Sequence, residues 1–225
     1  MATLNTTAQE LLTVLTSVLG RVENSTIALH EPNIGPHEHA TVTECLSSGW
    51  VSSVGAFITR FENQLAQFTG AQHVIAIVNG TAALHLALHA IGIEPGDEVI
   101  VPTLSFVATA NAVAHCGAIP HFVDGHAGTL GMDPAALQKH LREITKRRDG
   151  HLVNTTTGRR IGAIVPMHTF GHPMQIDALV SVASEFGIPI VEDAAESIGS
   201  FVGRQHTGTF GRCGILSFNG NKTIT

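Results

Sequence analysis

Val191-Glu192-Asp193-Ala194-Ala195-Glu196, read together with Ser217-Phe218-Asn219-Gly220-Asn221-Lys222, decides the fold. One apolar run, residues 188–191, ends in an acid. A second, residues 215–218, ends in a serine and then a lysine. Short apolar runs of this kind read as strands buried on both faces. Ligands of parallel α/β sheets lie beyond the carboxyl ends of the strands, so the two runs deliver a carboxylate and an amine to one edge.

The rest of the chain repeats the pattern. Apolar runs at 73–78, 98–101, 119–123 and 161–166 alternate with helical patterns at 81–91, 106–116, 134–144 and 174–186. Strands alternating with helices of this length give βαβ units. The predicted architecture is α/β, a three-layer α-β-α arrangement around a mostly parallel sheet. Punctuation agrees with it. Glu94-Pro95-Gly96-Asp97 forms a turn before a strand. Asp133-Pro134 starts a helix, with Asp133 as cap and Pro134 in the first turn. Residues 147–160 are polar and read as a surface loop or hairpin, and Lys146-Arg147-Arg148 as a solvated helix end. Before residue 30, an amphipathic helix packed on the body is expected. Leu11 to Leu19 is too short to span a bilayer, and the segment lacks the charged start of a signal peptide.

Composition narrows the function. The chain has 225 residues, 44% hydrophobic and only 13% charged, with a formal net charge of -6. That supports a substantial core and argues against a nucleic-acid partner. Cys45, Cys116 and Cys213 form no CxxC pair, which reads as buried thiols in a reducing, cytoplasmic setting. The 14 histidines invite a metal reading. However, His168 and His172 flank Gly171 and precede Pro173, which disfavours a helix, and His37-Glu38-His39 lacks zinc-helix spacing. No metal site is expected. Gly208, Gly211 and Gly214 resemble a dinucleotide loop but precede a strand instead of following one.

The candidate chemistry is that of pyridoxal phosphate. Asp193 would hold the pyridine nitrogen protonated, and Lys222 would be the Schiff-base lysine. Asn79-Gly80-Thr81 links a strand to a helix. Its glycine, its free N–H groups and the Thr81 hydroxyl suit the phosphate, with Ser217 as a further donor. Glu196 lies one helical turn beyond Asp193, within reach of the ring's 3-oxygen. Phe106 would stack on the ring.

With those residues in view, the chain resembles the DegT/DnrJ/EryC1/StrS sugar aminotransferases from about residue 30 to the end. The motifs that carry the resemblance are Val78-Asn79-Gly80-Thr81-Ala82-Ala83-Leu84, Val101-Pro102-Thr103-Leu104-Ser105-Phe106-Val107-Ala108-Thr109, Glu192-Asp193-Ala194-Ala195-Glu196-Ser197-Ile198-Gly199 and Ser217-Phe218-Asn219-Gly220-Asn221-Lys222. The resemblance implies the large domain of the aspartate-aminotransferase (type I) fold over residues 30–225, after a helical extension over 1–29. It implies the roles above for Gly80, Thr81, Phe106, Asp193, Glu196, Ser217 and Lys222. It places Trp50, Ser52 and Ser53 near a sugar nucleotide, and His168 near the ring. Gly49-Trp50-Val51-Ser52-Ser53-Val54-Gly55 and Asn219-Gly220-Asn221-Lys222 look most like LegC-type enzymes. Those aminate C4 of a UDP-4-keto-6-deoxy-N-acetylhexosamine with glutamate, for cell-surface glycans such as lipopolysaccharide, and work as homodimers. Family members are much longer, so the resemblance makes this an incomplete large domain without the small domain. An inactive fragment or regulatory pseudoenzyme of the family is the alternative expectation.

Overall fold

The computed structural model describes residues 2–20 and 30–225. The chain divides into two units, Met1–Asn33 and Ile34–Thr225. In the first, α1 (Ala2–Leu19) is helical as expected, and its Leu11, Leu12, Val14, Leu15, Val18 and Leu19 are exposed. The boundary expected at residue 29 lies outside the described residues. Among the described residues no helix is long and apolar enough to cross a membrane.

The second unit contains α2 (Pro36–Ser48), α3 (Ala56–Thr69), α4 (Gly80–Ala90), α5 (Val107–His115), α6 (Pro134–Ile144) and α7 (Ile176–Phe186). Its strands are β1 (Glu98–Pro102), β2 (Ile119–Val123), β3 (Thr145–Arg148), β4 (His151–Asn154), β5 (Ile161–Ile164), β6 (Val191–Asp193), β7 (Phe201–Val202), β8 (Gln205–His206) and β9 (Cys213–Ile215). The pairs β2–β1, β1–β5 and β6–β9 are all parallel. Parallel bridges Ile164–Ile190 and Met167–Asp193 join β5 to β6. The order is therefore β2-β1-β5-β6-β9 in one parallel sheet.

Alternation along the strands builds two cores. Ile100 and Ile164 face Leu137 and Leu141 of α6 and Ile176 and Leu179 of α7. Val99, Val101, Ala163, Val191 and Ile215 face Leu84 and Leu88 of α4 and Ala112 and Val113 of α5. Period-2 alternation between two apolar faces is what a sheet sandwiched by helices requires. Helices α4 and α5 therefore cover one face and α6 and α7 the other, the three layers predicted from the sequence.

The chain leaves β1 toward β2, then returns to β5 on the other side of β1. That reversal opens a crevice at the carboxyl ends of β1 and β5. The opposite edge is tied down by polar contacts. Glu98, buried at the start of β1, accepts from Thr157 at 2.5 Å, Asn154 at 2.9 Å and His121 at 2.9 Å. Arg160 bridges to Asp97 beside it.

Three expectations need correction. Residues 73–78 form no strand: Ile75 is 73% and Val78 86% exposed, because no described strand pairs with them. Lys146-Arg147-Arg148 is not a helix end. Helix α6 stops at Ile144, and the basic residues form β3 of an antiparallel hairpin with β4. Its turn is Asp149-Gly150, both with positive φ, and Arg147 donates to the Phe186 carbonyl at the end of α7. The third correction concerns the cysteines, which are unpaired but half-buried, not buried. Asp133 caps α6 as predicted, accepting from Ala135 and Ala136 N–H.

Candidate active site

Four chain segments meet at the carboxyl edge. Strand β6 ends at Asp193, which is 2% exposed. Its backbone is fixed from both sides: its N–H donates to the Pro166 carbonyl at 2.8 Å, and its carbonyl accepts from His168 N–H at 3.1 Å. The side chain is held by α5, where Thr109 Oγ1 donates to Oδ2 at 2.6 Å, while Ala195 N–H reaches Oδ1 at 3.3 Å. Burial pushes the Asp193 carboxyl above its ordinary value. The Thr109 and Ala195 donors and the Lys222 charge pull the other way.

Lys222 arrives on a turn and not directly from the strand. Strand β9 ends at Ile215, and Lys222 N–H donates back to the Asn219 carbonyl at 2.7 Å. Its Nζ meets Glu196 Oε1 at 3.0 Å and lies 5.6 Å from the centre of the Phe106 ring. Glu196 also accepts from Phe170 N–H at 3.1 Å. Phe170 itself is left-handed, at φ 55°. Gly171 has no room for a side chain, since a Cβ there would sit 2.7 Å from the Glu196 carbonyl oxygen. The backbone here is pressed against the Glu196 carbonyl, and the Phe170 N–H holds the carboxylate whose other oxygen meets Lys222.

The anion cradle forms at the start of α4. Asn79 caps the helix by accepting from Ala82 N–H at 2.8 Å. A Cβ on Gly80 would lie 3.5 Å from Ser217 Cβ and 3.6 Å from its hydroxyl oxygen. The open helix start and a serine hydroxyl thus share one small space. The donor chemistry matches a phosphate monoester.

Sequence reasoning left three features of the site unassigned. Thr109 appears in a motif, but with no role. Glu192 is fully buried and accepts from Gly208 N–H at 2.8 Å, Phe210 N–H at 2.6 Å, Gly211 N–H at 2.7 Å and His168 Nε2 at 3.1 Å. This explains the spaced glycines. They fold a loop around a carboxylate, and a Cβ at Gly211 would sit 2.6 Å from the Ile190 carbonyl oxygen. The third is His206, whose Nε2 accepts from Gly199 N–H and whose Nδ1 faces the Thr207 carbonyl. Burial depresses its basicity, and its ring makes edge contacts with Phe68 and Phe201.

The predicted site residues separate into two groups. Asp193, Glu196, Lys222 and Phe106 come together, and Gly80 meets Ser217 beside them. His168 is fully buried: Met174 N–H donates to its Nδ1 at 3.3 Å, so its Nε2 carries the proton given to Glu192. Its side chain braces Glu192, while its backbone N–H bonds the Asp193 carbonyl. Trp50 is 61% exposed on a turn with Ser52 and Ser53, and its hydrogen bonds to Ser48 and Cys45 are local. Among the described residues no group of three or more His, Cys, Asp or Glu side chains could hold a metal ion.

A sequence profile of the DegT/DnrJ/EryC1/StrS aminotransferase family matches residues 32–225. The chain belongs to this family. GDP-perosamine synthase of Caulobacter vibrioides is 41% identical over 199 residues, covering 88% of this chain and 49% of that protein. The spore coat polysaccharide biosynthesis protein SpsC of Bacillus subtilis is 38% identical over 193 residues, covering 86% and 45%. Among solved structures, the aminotransferase TlmJ from Streptoalloteichus hindustanus superposes with a TM-score of 0.73 at 31% identity, covering 88% of this chain and 50% of that one. Spr1654 of Streptococcus pneumoniae, solved in PLP and PMP forms, gives TM-scores of 0.75 and 0.76. The family's cofactor is pyridoxal phosphate, and the fold is that of its enzymes. The chain spans about half the length of the curated relatives it matches.

The residues present fit that cofactor. The Gly80–Ser217 space would take the phosphate, Phe106 flanks Lys222, and Asp193 keeps acceptor capacity on Oδ1.

Proposed function

We propose that this chain is the cofactor-binding part of an aminotransferase that moves an amino group from glutamate to the keto group of a 4-keto-6-deoxy nucleotide sugar. One observation carries the proposal most directly. A buried carboxylate at a strand end, with one oxygen lightly engaged, lies in the same crevice as a lysine held by a neighbouring acid. The Gly80–Ser217 cradle beside them supplies the anchor for a phosphate.

When bound, pyridoxal phosphate supplies an electron sink for the carbon that gains or loses the amino group. This chain's residues do the rest. The Gly80 and Thr81 N–H groups and the Ser217 hydroxyl grip the phosphate. Asp193 keeps the proton on the ring nitrogen, because an opposite charge at hydrogen-bond distance favours the charged form. Phe106 covers one ring face. Lys222 Nζ, released from Glu196 and neutral, would take the proton from the carbon that gives up the amino group and deliver it to the carbon that receives the amine, and the reverse in the second half-reaction. Glu196, freed of the lysine, can turn to the ring oxygen.

The nucleotide is the finer question. The names of relatives cite a GDP sugar, and that of DesI a TDP-sugar product. We take the UDP-linked N-acetylhexosamine as this chain's substrate, on the motif at 49–55. Trp50, Ser52 and Ser53 would contact it in a homodimer working in the cytoplasm on polysaccharide precursors.

The test offers glutamate and pyridoxal phosphate with UDP-, GDP- and TDP-linked 4-keto-6-deoxy sugars, using this chain and the product of its whole reading frame. Mass spectrometry should find the aminated UDP sugar. Amination of simple keto acids but of no nucleotide sugar would sink the reading.

A further inference from the structure

The most informative side chain with no assigned task is Thr109. It is fully buried, sits in the first turn of α5, and lies 84 positions from Asp193 in the chain. Its hydroxyl lies 2.6 Å from Asp193 Oδ2. A helical threonine commonly returns its hydroxyl to the carbonyl one turn back. Thr109 instead reaches out of its helix to the carboxylate.

We propose that Thr109 is the positioning residue of Asp193: it occupies Oδ2 and so presents Oδ1 to a cationic ring nitrogen. This deepens the proposed function and rests on it.

Three arguments support the assignment. The first is partner arithmetic. A carboxylate has about four acceptor positions. Asp193 receives one short bond on Oδ2 and one long bond, 3.3 Å, on Oδ1. The lightly engaged oxygen is therefore Oδ1. The second is charge. The nearby cation, Lys222, is engaged with Glu196 at 3.0 Å, so it does not orient the Asp193 carboxylate. In a dry site a carboxylate with few donors drifts toward its neutral acid, which would leave a ring nitrogen without an anionic partner. A hydroxyl donor and the amino end of α5, whose dipole favours negative charge, oppose that drift. The third is rigidity. Threonine is stiff at χ1, so its hydroxyl holds one direction. The Asp193 backbone is clamped between Pro166 and His168, which leaves only the side-chain torsions to fix.

The experiment compares Thr109→Val and Thr109→Ser with the parent. Valine keeps the shape and removes the donor, while serine keeps the donor. In the cofactor-free protein, carbon-13 NMR of labelled aspartate follows the Asp193 carboxyl, assigned with Asp193→Asn. It should titrate about one pH unit higher in Thr109→Val, the size expected for losing a hydrogen bond to a charged group. In Thr109→Ser it should return to within a few tenths of the parent. With nitrogen-15-labelled pyridoxal phosphate bound, the ring nitrogen should lose its proton at lower pH in the valine variant, with serine again restoring it. An unchanged Asp193 titration in Thr109→Val would overturn the inference. So would a shift that serine reproduces, since that would mark a general packing effect. The cofactor-free titration stands apart from the proposed function: failure to bind pyridoxal phosphate would sink that function, while the Thr109 comparison would still be decided. If Thr109→Val does not fold, Thr109→Cys, a weaker donor, should give an intermediate shift, and an unshifted titration in that variant would count against the inference.

Discussion

Glu192 and Asp193 are neighbours in sequence, both buried, and treated in opposite ways. Glu192 accepts from three backbone N–H groups and one imidazole, all between 2.6 and 3.1 Å. Asp193 has one short bond and one long one. The strand accounts for the difference in direction, because successive side chains point to opposite faces. Glu192 turns toward the 208–211 loop and Asp193 toward α5. The comparison teaches how to separate a structural from a functional buried acid. The structural one is saturated with donors, because an underpaired buried charge is costly. Asp193, the acid proposed to meet the cofactor, keeps an acceptor position in reserve and bears the burial cost, which appears as its raised proton affinity.

Removing the saturated acid should have the largest effect on stability. Glu192→Ala strands three half-buried N–H groups and the His168 proton, and should cost about 3–5 kcal/mol in total, at about 1 kcal/mol or more for each stranded donor. Glu192→Gln keeps the shape but points an amide NH2 at other donors, and should cost about 1–3 kcal/mol. Urea denaturation measures both. A loss below about 1 kcal/mol for the alanine variant would end the claim that Glu192 anchors the loop.

Asp193→Asn should show the reverse, with little change in stability and a large change in chemistry. A carboxyl whose proton affinity is raised on folding favours the folded state most below the unfolded value, 3.8, and loses that contribution as pH rises through the folded value. At neutral pH the variant should therefore match or exceed the parent in stability, and the advantage should vanish as pH is lowered toward that value. In the complete enzyme each half-reaction should slow by about 10²–10⁴-fold, by analogy with a positioned proton-transfer group. Single-turnover kinetics with glutamate would show it. A stability loss like that of Glu192→Ala would erase the distinction between the two acids.

Gly80→Ala should have the smallest effect on the fold. The added Cβ meets Ser217 Cβ at 3.5 Å, an ordinary contact. Losing a helical glycine should change stability by no more than about 0.5–1 kcal/mol, in the favourable direction. The methyl group also fills part of the cradle, so affinity for pyridoxal phosphate should fall. Calorimetric titration reads the affinity and thermal unfolding the stability. Unchanged affinity would move the phosphate elsewhere.

The same contrast marks what the sequence made legible. Strand β2 and helix α6 came out at their observed bounds because Ile119–Val123 and Pro134–Ile144 carry strong local signals, the latter an aspartate cap with a proline behind it. The strands expected at 188–191 and 215–218 share only Val191 with β6 and only Ile215 with β9, because an apolar run marks burial and the ladder partners set the bounds. Residues 73–78 misled, since an apolar run becomes a strand only when another strand pairs with it. Lys146–Arg148 misled because charge describes exposure and not backbone form. The roles of Thr109 and Glu192 are set by partners 84 and 16–24 positions away, which no local pattern encodes. The engagement of both His168 nitrogens, with Met174 N–H and with Glu192, is likewise set by partners that no local pattern encodes.

The account stands on Asp193 and Lys222 serving one cofactor held by Gly80 and Ser217. The direct measurement is to incubate the protein with pyridoxal phosphate, reduce with borohydride, digest and locate the added mass. The account predicts a pyridoxyl group on Lys222 in the parent, its loss in Lys222→Ala, and its retention in Asp193→Asn because the phosphate cradle is intact. A pyridoxyl group found on Lys139 or Lys146 in place of Lys222 would contradict it.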